Sequence, residues 1–259
     1  MPDFYDLMFE VSNEERVRIL EAIREERSSF SGLARRLDIT TQEVSRHFNR
    51  LMEAGLTTKD RGGHPSLTPF GILVLKQLEA VQFTNFHRDY FVSHVADKIP
   101  GSFVTRFGEL GGMRLQDDVM RVIHDVIRII NEAEEYILDV NLPYIASAFP
   151  HIREAYERNI KGKFLHGNDL RIPEEMQEVR DKSFTDDFVG SLRTKDIYEE
   201  KFLDVDFVLY MNEKEVAILG FPTTHGDYDF IGFTGTSPEA HEWCRDLFYH
   251  YWEQGKRIR

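Results

Sequence analysis

The stretch TTQEVSRHFNRLMEAGLTTKDRGGHPSLTPFG, residues 40–71, constrains this chain more than any other. Thr40 or Thr41 offers a side-chain oxygen to the free N–H groups that open a helix. Val44, Phe48 and Leu51 recur at helical spacing, so one face of that helix turns inward. Gly55 stands where a helix ends on a left-handed residue. LTTK and PSLT then read as two short extended segments around DRGGH, where Gly62 and Gly63 permit a tight reversal. Thr68 caps a further helix, with Pro69 in its first turn.

The residues upstream complete the pattern. Ser12 or Asn13 begins a helix with Glu14 and Glu15 in its first turn, and Val17, Leu20 and Ile23 line one face. SSFSGLARRLDI predicts a shorter helix with Leu33, Ala34 and Leu37 inward. Three short helices followed by a two-stranded flap predict a winged helix-turn-helix over residues 1–70. In that fold the second motif helix enters the major groove, and the wing touches backbone or minor groove. Thr41, Gln42, Ser45, Arg46, Asn49 and Arg50 are then the candidates for base edges and phosphates. Gln and Asn pair bidentately with adenine, and Arg with guanine. Arg61 marks the wing tip, with Lys59 and His64 on either side. Simple solvation also produces a polar helix face.

Charge separates along the chain. Residues 29–68 carry six Lys or Arg against four Asp or Glu, inside a protein of net charge −13. Such an acidic chain is not a nonspecific nucleic-acid coat. Double-stranded DNA, met locally and specifically, is the expected partner. No window of about 18 apolar residues predicts a membrane span. The N-terminus lacks a signal-peptide pattern, and the single cysteine, Cys244, reads as a packed core residue. A cytoplasmic location with no membrane partner is expected.

PFGILVLKQLEAVQFTNFHRDYFVSHV predicts one long apolar helix over residues 69–95, a connector and dimer seam, with Val74, Leu78, Val81, Val92 and Val95 along it. DKIPGSFVTRFGELGG breaks the pattern, giving a connecting segment over residues 71–112 and a second domain over 113–259. That domain alternates helices (DDVMRVIHDVIRIINEA, FPHIREAYERNIK, IPEEMQEVRDKSF) with strands (YILDVN, KFLHG, FVGSLRT, DFVLYMN, EVAILGF, DFIGFTG). SPEAHEWCRDLFYHYWEQGKRI closes it as a helix capped by Ser237. The fold class is α+β overall, with a C-terminal α/β domain.

The second half shows no Gly-x-Ser-x-Gly, phosphate-binding loop, Cys-x-x-Cys or His-Glu-x-x-His. No catalytic residue, metal or cofactor is assigned. HGND and THGDYD, with His166, Asp169, His225, Asp227 and Asp229, read as metal-ligating loops or as turn chemistry. His166, Asn168 and Arg171 follow the strand KFL, where open α/β sheets place ligands. The helix starting near Pro173 would favour negative charge there. Arg193 is a second anion candidate, and Tyr210 and Phe233 are candidates for an aromatic wall. Together they predict a site for a small organic anion, against the plainer reading of salt bridges and core packing.

EVSRHFNRLMEAGLTTKD resembles the recognition helix and wing entry of bacterial and archaeal winged-helix repressors of the arsenic-repressor type, in SRHF, EAGL and LTPFG. The resemblance implies DNA binding. It does not extend to metal sensing, because the family's Cys-rich motif is absent. DFVLYMNEKEVAILGFPTTHGDYDFIGFTGTSPEAHEWCRDLFYHYWEQGK resembles the end of the sensor domain of archaeal methanogenesis regulators of the Fil type, with LFYHYW at the closing helix. That likeness runs over most of residues 100–255 and implies a dimeric transcription regulator with a C-terminal sensor for a small-molecule effector. The second half is also similar in outline to the effector domains of TrmB-type sugar regulators, which have a phospholipase-D-like fold. No His-x-Lys pair is present, so the catalytic apparatus of that fold is missing. Two rivals stand beside this reading: an enzyme fused to a DNA-binding module through His166, Asp169 and His225, and a protein-interaction adaptor.

Overall fold

The computed structural model describes residues 3–143, 145–168 and 174–257. It divides into two compact units, Met1–Val81 and Gln82–Arg259.

The first unit opens with a helix that periodicity did not predict, α1 (Phe4–Val11), held by a reciprocal cap between Asp3 and Asp6. Then come α2 (Glu14–Glu25), α3 (Phe30–Leu37) and α4 (Thr41–Glu53). Asn13, Ser29 and Thr40 each accept a backbone N–H three residues on, which fixes where these helices begin. Ile19, Leu20, Leu33, Val44, Phe48 and Leu51 form a core closed to solvent. Gly55 takes φ +77° after α4, as its position required. The flap is β1 (Thr57–Lys59) paired antiparallel with β2 (Pro65–Leu67). Thr68 then donates to the Gly55 carbonyl at 2.6 Å and accepts from Gly71 N–H at 2.9 Å, opening α5 (Pro69–Phe86). A Cβ on Gly71 would fall 2.0 Å from the Leu56 carbonyl oxygen, so only glycine lets α5 start there.

The long connecting helix expected over residues 69–95 is interrupted. α5 ends at Phe86, and α6 (Arg88–Ser93) begins after His87. His87 leaves helical geometry at φ −102° and ψ 28°, and its ring packs 4.8 Å from both Phe83 and Phe233. The expected stripe also splits. Val74 and Leu78 pack on the first unit's core, whereas Val81 is exposed.

The second unit continues through α7 (Gly101–Val104), β3 (Arg114–Gln116), α8 (Val119–Glu132), β4 (Tyr136–Val140) and α9 (Phe149–Glu157). It proceeds through β5 (Lys161–His166), α10 (Glu174–Ser183), α11 (Asp186–Thr194) and β6 (Tyr198–Phe202). β7 (Val208–Asn212), β8 (Val216–Gly220), β9 (Gly232–Gly235) and α12 (Pro238–Trp252) complete it. The seven strands form one mixed sheet in the order β3-β9-β8-β7-β4-β5-β6. β4, β5 and β6 run parallel, and the remaining pairs are antiparallel.

FVGSLRT, expected as a strand, is the body of α11. Thr185 caps it, Asp186 and Asp187 occupy its first turn, and Leu192 is buried one turn beyond Phe188. Arg193 therefore sits on a helix. Conversely, β6 is a strand the apolar pattern did not predict, because it lies at the sheet edge with every residue half-buried.

Side chains alternate across the sheet. Ile137, Val208, Tyr210 and Ile218 face α8, which contributes Val122, Val126, Ile129 and Ile130. Leu209, Leu219 and Phe233 are register partners in turn and so share the other face. α12 buries Trp243, Cys244, Leu247, Phe248 and Trp252, and the Trp243 indole donates to the Phe103 carbonyl at 3.2 Å. Burial pushes the Cys244 thiol far above its ordinary range, the behaviour of a packed core residue.

Candidate nucleic-acid interface and buried cavity

The start of α4 is doubly fastened. Glu43 N–H donates to Thr40 Oγ1 at 3.1 Å, and Thr40 N–H donates to the Glu43 carboxylate at 2.9 Å. These bonds hold the Glu43 carboxyl below its usual range and satisfy two groups that a helix start otherwise leaves open. With Val44, Phe48 and Leu51 inward, Thr41, Gln42, Arg46 and Asn49 are exposed and Ser45 is half-exposed. Arg46 makes no ion pair among the described residues; its polar neighbour is His47 Nε2 at 3.4 Å. His47 itself is buried and meets Glu15 at 2.7 Å, so it belongs to the packing.

Arg50 is occupied differently. Both arms of its guanidinium reach the Glu10 carboxylate, at 2.6 and 3.2 Å, and it lies 5.4 Å over the Phe9 ring. Glu10 also faces buried Arg16 at 3.3 Å and is held below its ordinary pKa, chiefly by Arg50. Arg50 therefore fastens α4 to α1.

Asp60 organises the wing turn. Its carboxylate accepts from Gly62 N–H at 2.8 Å and His64 N–H at 3.0 Å, and from the Arg27 guanidinium at 2.8 Å. Those bonds, Arg27 first, hold it far below the usual carboxylate range. Gly63 supplies φ +78° for the reversal. Arg61 is exposed at the tip with no ion pair among the described residues. Lys59 leans over the Phe30 ring at 5.5 Å, and His64 is shared between Arg27 at 3.1 Å and Asp60 at 3.6 Å.

In the second unit, α9, α10, α11 and the sheet line a partly open cavity of about 120 Å³. Phe149, Ile152, Phe164, Phe184 and Leu192 give it apolar walls. Its polar groups come from four strands and three helices: Asp139, His166, Tyr198, Glu200 and Tyr210, with Tyr156, Arg180 and Arg193. Asp139 and Tyr210 are partners across β4 and β7, so their side chains rise side by side. Asp139 is 6% exposed and accepts from Leu142 N–H at 3.2 Å. Burial pushes its carboxyl up to about 8, so it is mostly protonated at neutral pH. Tyr210 is 2% exposed, its ionisation is pushed well up by burial, and its hydroxyl has no hydrogen-bond partner among the described residues. Burial pushes His166 down to about 4, so the imidazole is neutral at pH 7. Glu200 lies 3.5 Å from His166 and 4.0 Å from Arg193, and Arg193 also sits 5.8 Å over the Tyr198 ring.

Three of the ligand candidates, His166, Arg193 and Tyr210, therefore meet in one cavity. Asn168 does not line it: its backbone and side-chain N–H groups both donate to Asp204 at 2.8 Å, a turn closure. Phe233 does not line it either, since it lies on the opposite sheet face against Phe83 and Tyr90. Arg171 and Asp169 lie outside the described residues. Asp229 pairs with His94 at 3.2 Å, and among the described residues no three His, Cys, Asp or Glu are grouped to hold a metal. Asp139 was the missed member. A charged residue inside the buried run YILDV was the signal that could have found it.

A helix-turn-helix domain model matches residues 11–60, and the chain carries that domain at its N-terminus. A search of the curated proteins finds no match. Among solved structures, the chain is similar to TrmBL2, an archaeal chromatin protein whose structure shows a novel mode of DNA binding. The identity is 14%, covering 95% of this chain and 94% of that one, at a TM-score of 0.44. It is also similar to the pyocyanin biosynthetic protein PhzM, at 13% identity, 78% and 62% coverage and a TM-score of 0.30. An O-methyltransferase family protein from Burkholderia thailandensis follows at 11%, 79% and 65%, and 0.26. At these scores the likenesses carry no argument about the second unit. Among the described residues no helix is long and apolar enough to cross a membrane.

Proposed function

We propose that this chain is a DNA-binding transcription regulator, a cytoplasmic homodimer whose second unit admits a small effector that modulates operator binding. One observation carries the reading: a fastened helix presents Gln42, Arg46 and Asn49 to solvent as an open row, with Arg61 on a rigid wing beside it. Thr41, Ser45 and Lys59 extend that row toward phosphates, whereas Arg50 and His64 act mainly within the protein. The matched helix-turn-helix domain supports DNA as the partner.

Homodimerisation rests on exposed apolar side chains that a lone protomer leaves in water, Leu73 and Val81 on α5 and Phe4, Tyr5 and Phe9 on α1. The effector role rests on the cavity. The choice of regulator over enzyme rests on the helix-turn-helix domain matched at the N-terminus. The likeness of the second half to a Fil-type sensor, carried by LFYHYW at the closing helix, is part of this reading. An effector modulates DNA binding only by preferring one state of the protein over another.

The test is selection of fragments from sheared DNA of the protein's own genome, followed by mobility shifts over a salt series. A small set of enriched fragments, with affinity falling linearly on a log–log salt plot, is expected. Uniform recovery of all fragments would overturn the reading.

A further inference from the structure

The chemistry of the cavity narrows what the effector is. About 120 Å³ is the scale of a site for one six-membered ring; an engineered protein cavity of about 150 Å³ takes benzene. A sugar needs hydrogen-bond partners around its whole rim, whereas Phe149, Phe164, Phe184 and Leu192 offer it only apolar surface. The walls fit the faces and edges of an aromatic ring.

The polar groups then define two ends. At one, the Tyr210 hydroxyl stands buried beside Asp139 with no partner among the described residues. A buried hydroxyl left unpaired is costly, and a ligand oxygen placed there would satisfy it. At the other, Arg180 and Arg193 extend from α10 and α11, both exposed; Arg193 lies 4.0 Å from Glu200 and Arg180 lies 3.6 Å from Asp181. The exposed guanidinium fork of Arg193 suits a carboxylate.

We propose that the cavity takes a monocyclic aromatic acid. Its ring lies among Phe164, Phe184 and Leu192, a ring hydroxyl meets Tyr210 and Asp139, and its carboxylate lies at Arg193. This deepens the effector reading given above and rests on it.

The experiment is titration calorimetry of the full chain with 4-hydroxybenzoate, benzoate and phenol, on wild type, Tyr210→Phe and Arg193→Gln. Tyr210→Phe keeps the ring and removes only the hydroxyl. The expected result is that it weakens 4-hydroxybenzoate roughly tenfold, the size of one well-placed hydrogen bond, and leaves benzoate unchanged. Arg193→Gln is expected to weaken both acids by a common factor and leave phenol alone. Tryptophan fluorescence of each variant checks that the second unit is folded. Equal wild-type affinity for 4-hydroxybenzoate and benzoate, an equal effect of Tyr210→Phe on both, or no heat from any of the three probes overturns the proposal; the last means that water alone fills the space. Aliphatic acids and sugars are titrated in parallel, with release of bound DNA as the readout. A hit there alone overturns the aromatic assignment and leaves the effector reading standing, whereas no hit in any class removes both.

Discussion

Replacing Asp139 by asparagine should remove one pH-dependent contribution to the second unit's stability, which falls between pH 5 and 8 in the wild type. The folded carboxyl titrates near 8 because burial disfavours its charge, and Leu142 N–H opposes this with one hydrogen bond. Unfolded, it titrates near about 3.9. Between those values the folded state holds one proton more than the unfolded state. The stability associated with the neutral acid is therefore full below about pH 4 and is lost as pH rises toward 8. The slope is about 1.4 kcal/mol per pH unit, so between pH 5 and 8 the wild-type-minus-variant difference should fall by about 3–4 kcal/mol. The amide of the Asp139→Asn variant carries no proton to lose. His166, pushed down to about 4, acts with the opposite sign over a window below about pH 6.5; both proteins carry it, so it drops out of the difference. The assay is urea unfolding of both proteins at several pH values, followed by tryptophan fluorescence. Both tryptophans, Trp243 and Trp252, lie in the second unit, so the signal reports that unit alone. A wild-type-minus-variant difference that stays flat from pH 5 to 8 would refute the reasoning, since it would mean that Asp139 ionises as freely folded as unfolded.

Arg46→Ala or Gln42→Ala should cost about 1–3 kcal/mol on the specific DNA site, because each removes a bidentate donor set, and mobility shifts against a scrambled site measure it. Arg61→Ala should weaken all sequences alike and lower the salt slope by about one, which the same shifts over a salt series resolve. Leu73→Glu with Val81→Glu should yield a folded monomer by light scattering, since both side chains are exposed in the protomer; an unchanged dimer mass would place the seam elsewhere. Phe48→Ala should destabilise the first unit by about 3–5 kcal/mol, read by circular dichroism melts, because the ring is fully buried against Phe30.

The first unit was legible because its determinants are local. Thr40 with Glu43, Ser29 with Gly32 and Thr68 with Gly71 each act over three residues, and Gly55 ends α4 by its own backbone conformation. Ser237 works the same way at α12. What reading failed to supply was non-local. Arg50 looked free for phosphate until Glu10, forty residues away, took its guanidinium. FVGSLRT is a short apolar run, which periodicity does not assign to helix or strand, and Thr185 decided for helix. The cavity is a product of strand register: Asp139 and Tyr210 are neighbours only because β4 and β7 pair in that alignment.

Asp139 also bears on why the cavity exists. A side chain held at a folded pKa near 8 lowers stability at neutral pH relative to a neutral residue of the same shape. Tyr210 adds a buried hydroxyl without a partner among the described residues, where phenylalanine would fill the same volume at no such cost. Neither residue is what packing alone would select at the floor of a space walled by Phe, Leu and Ile. Two adjacent positions on paired strands both depart from the most stable choice, and both depart toward hydrogen bonding into the same void. Stability therefore does not account for them, whereas the proposed recognition of a ligand oxygen would account for both at once, with Tyr210 offering a donor and acceptor and neutral Asp139 a second donor.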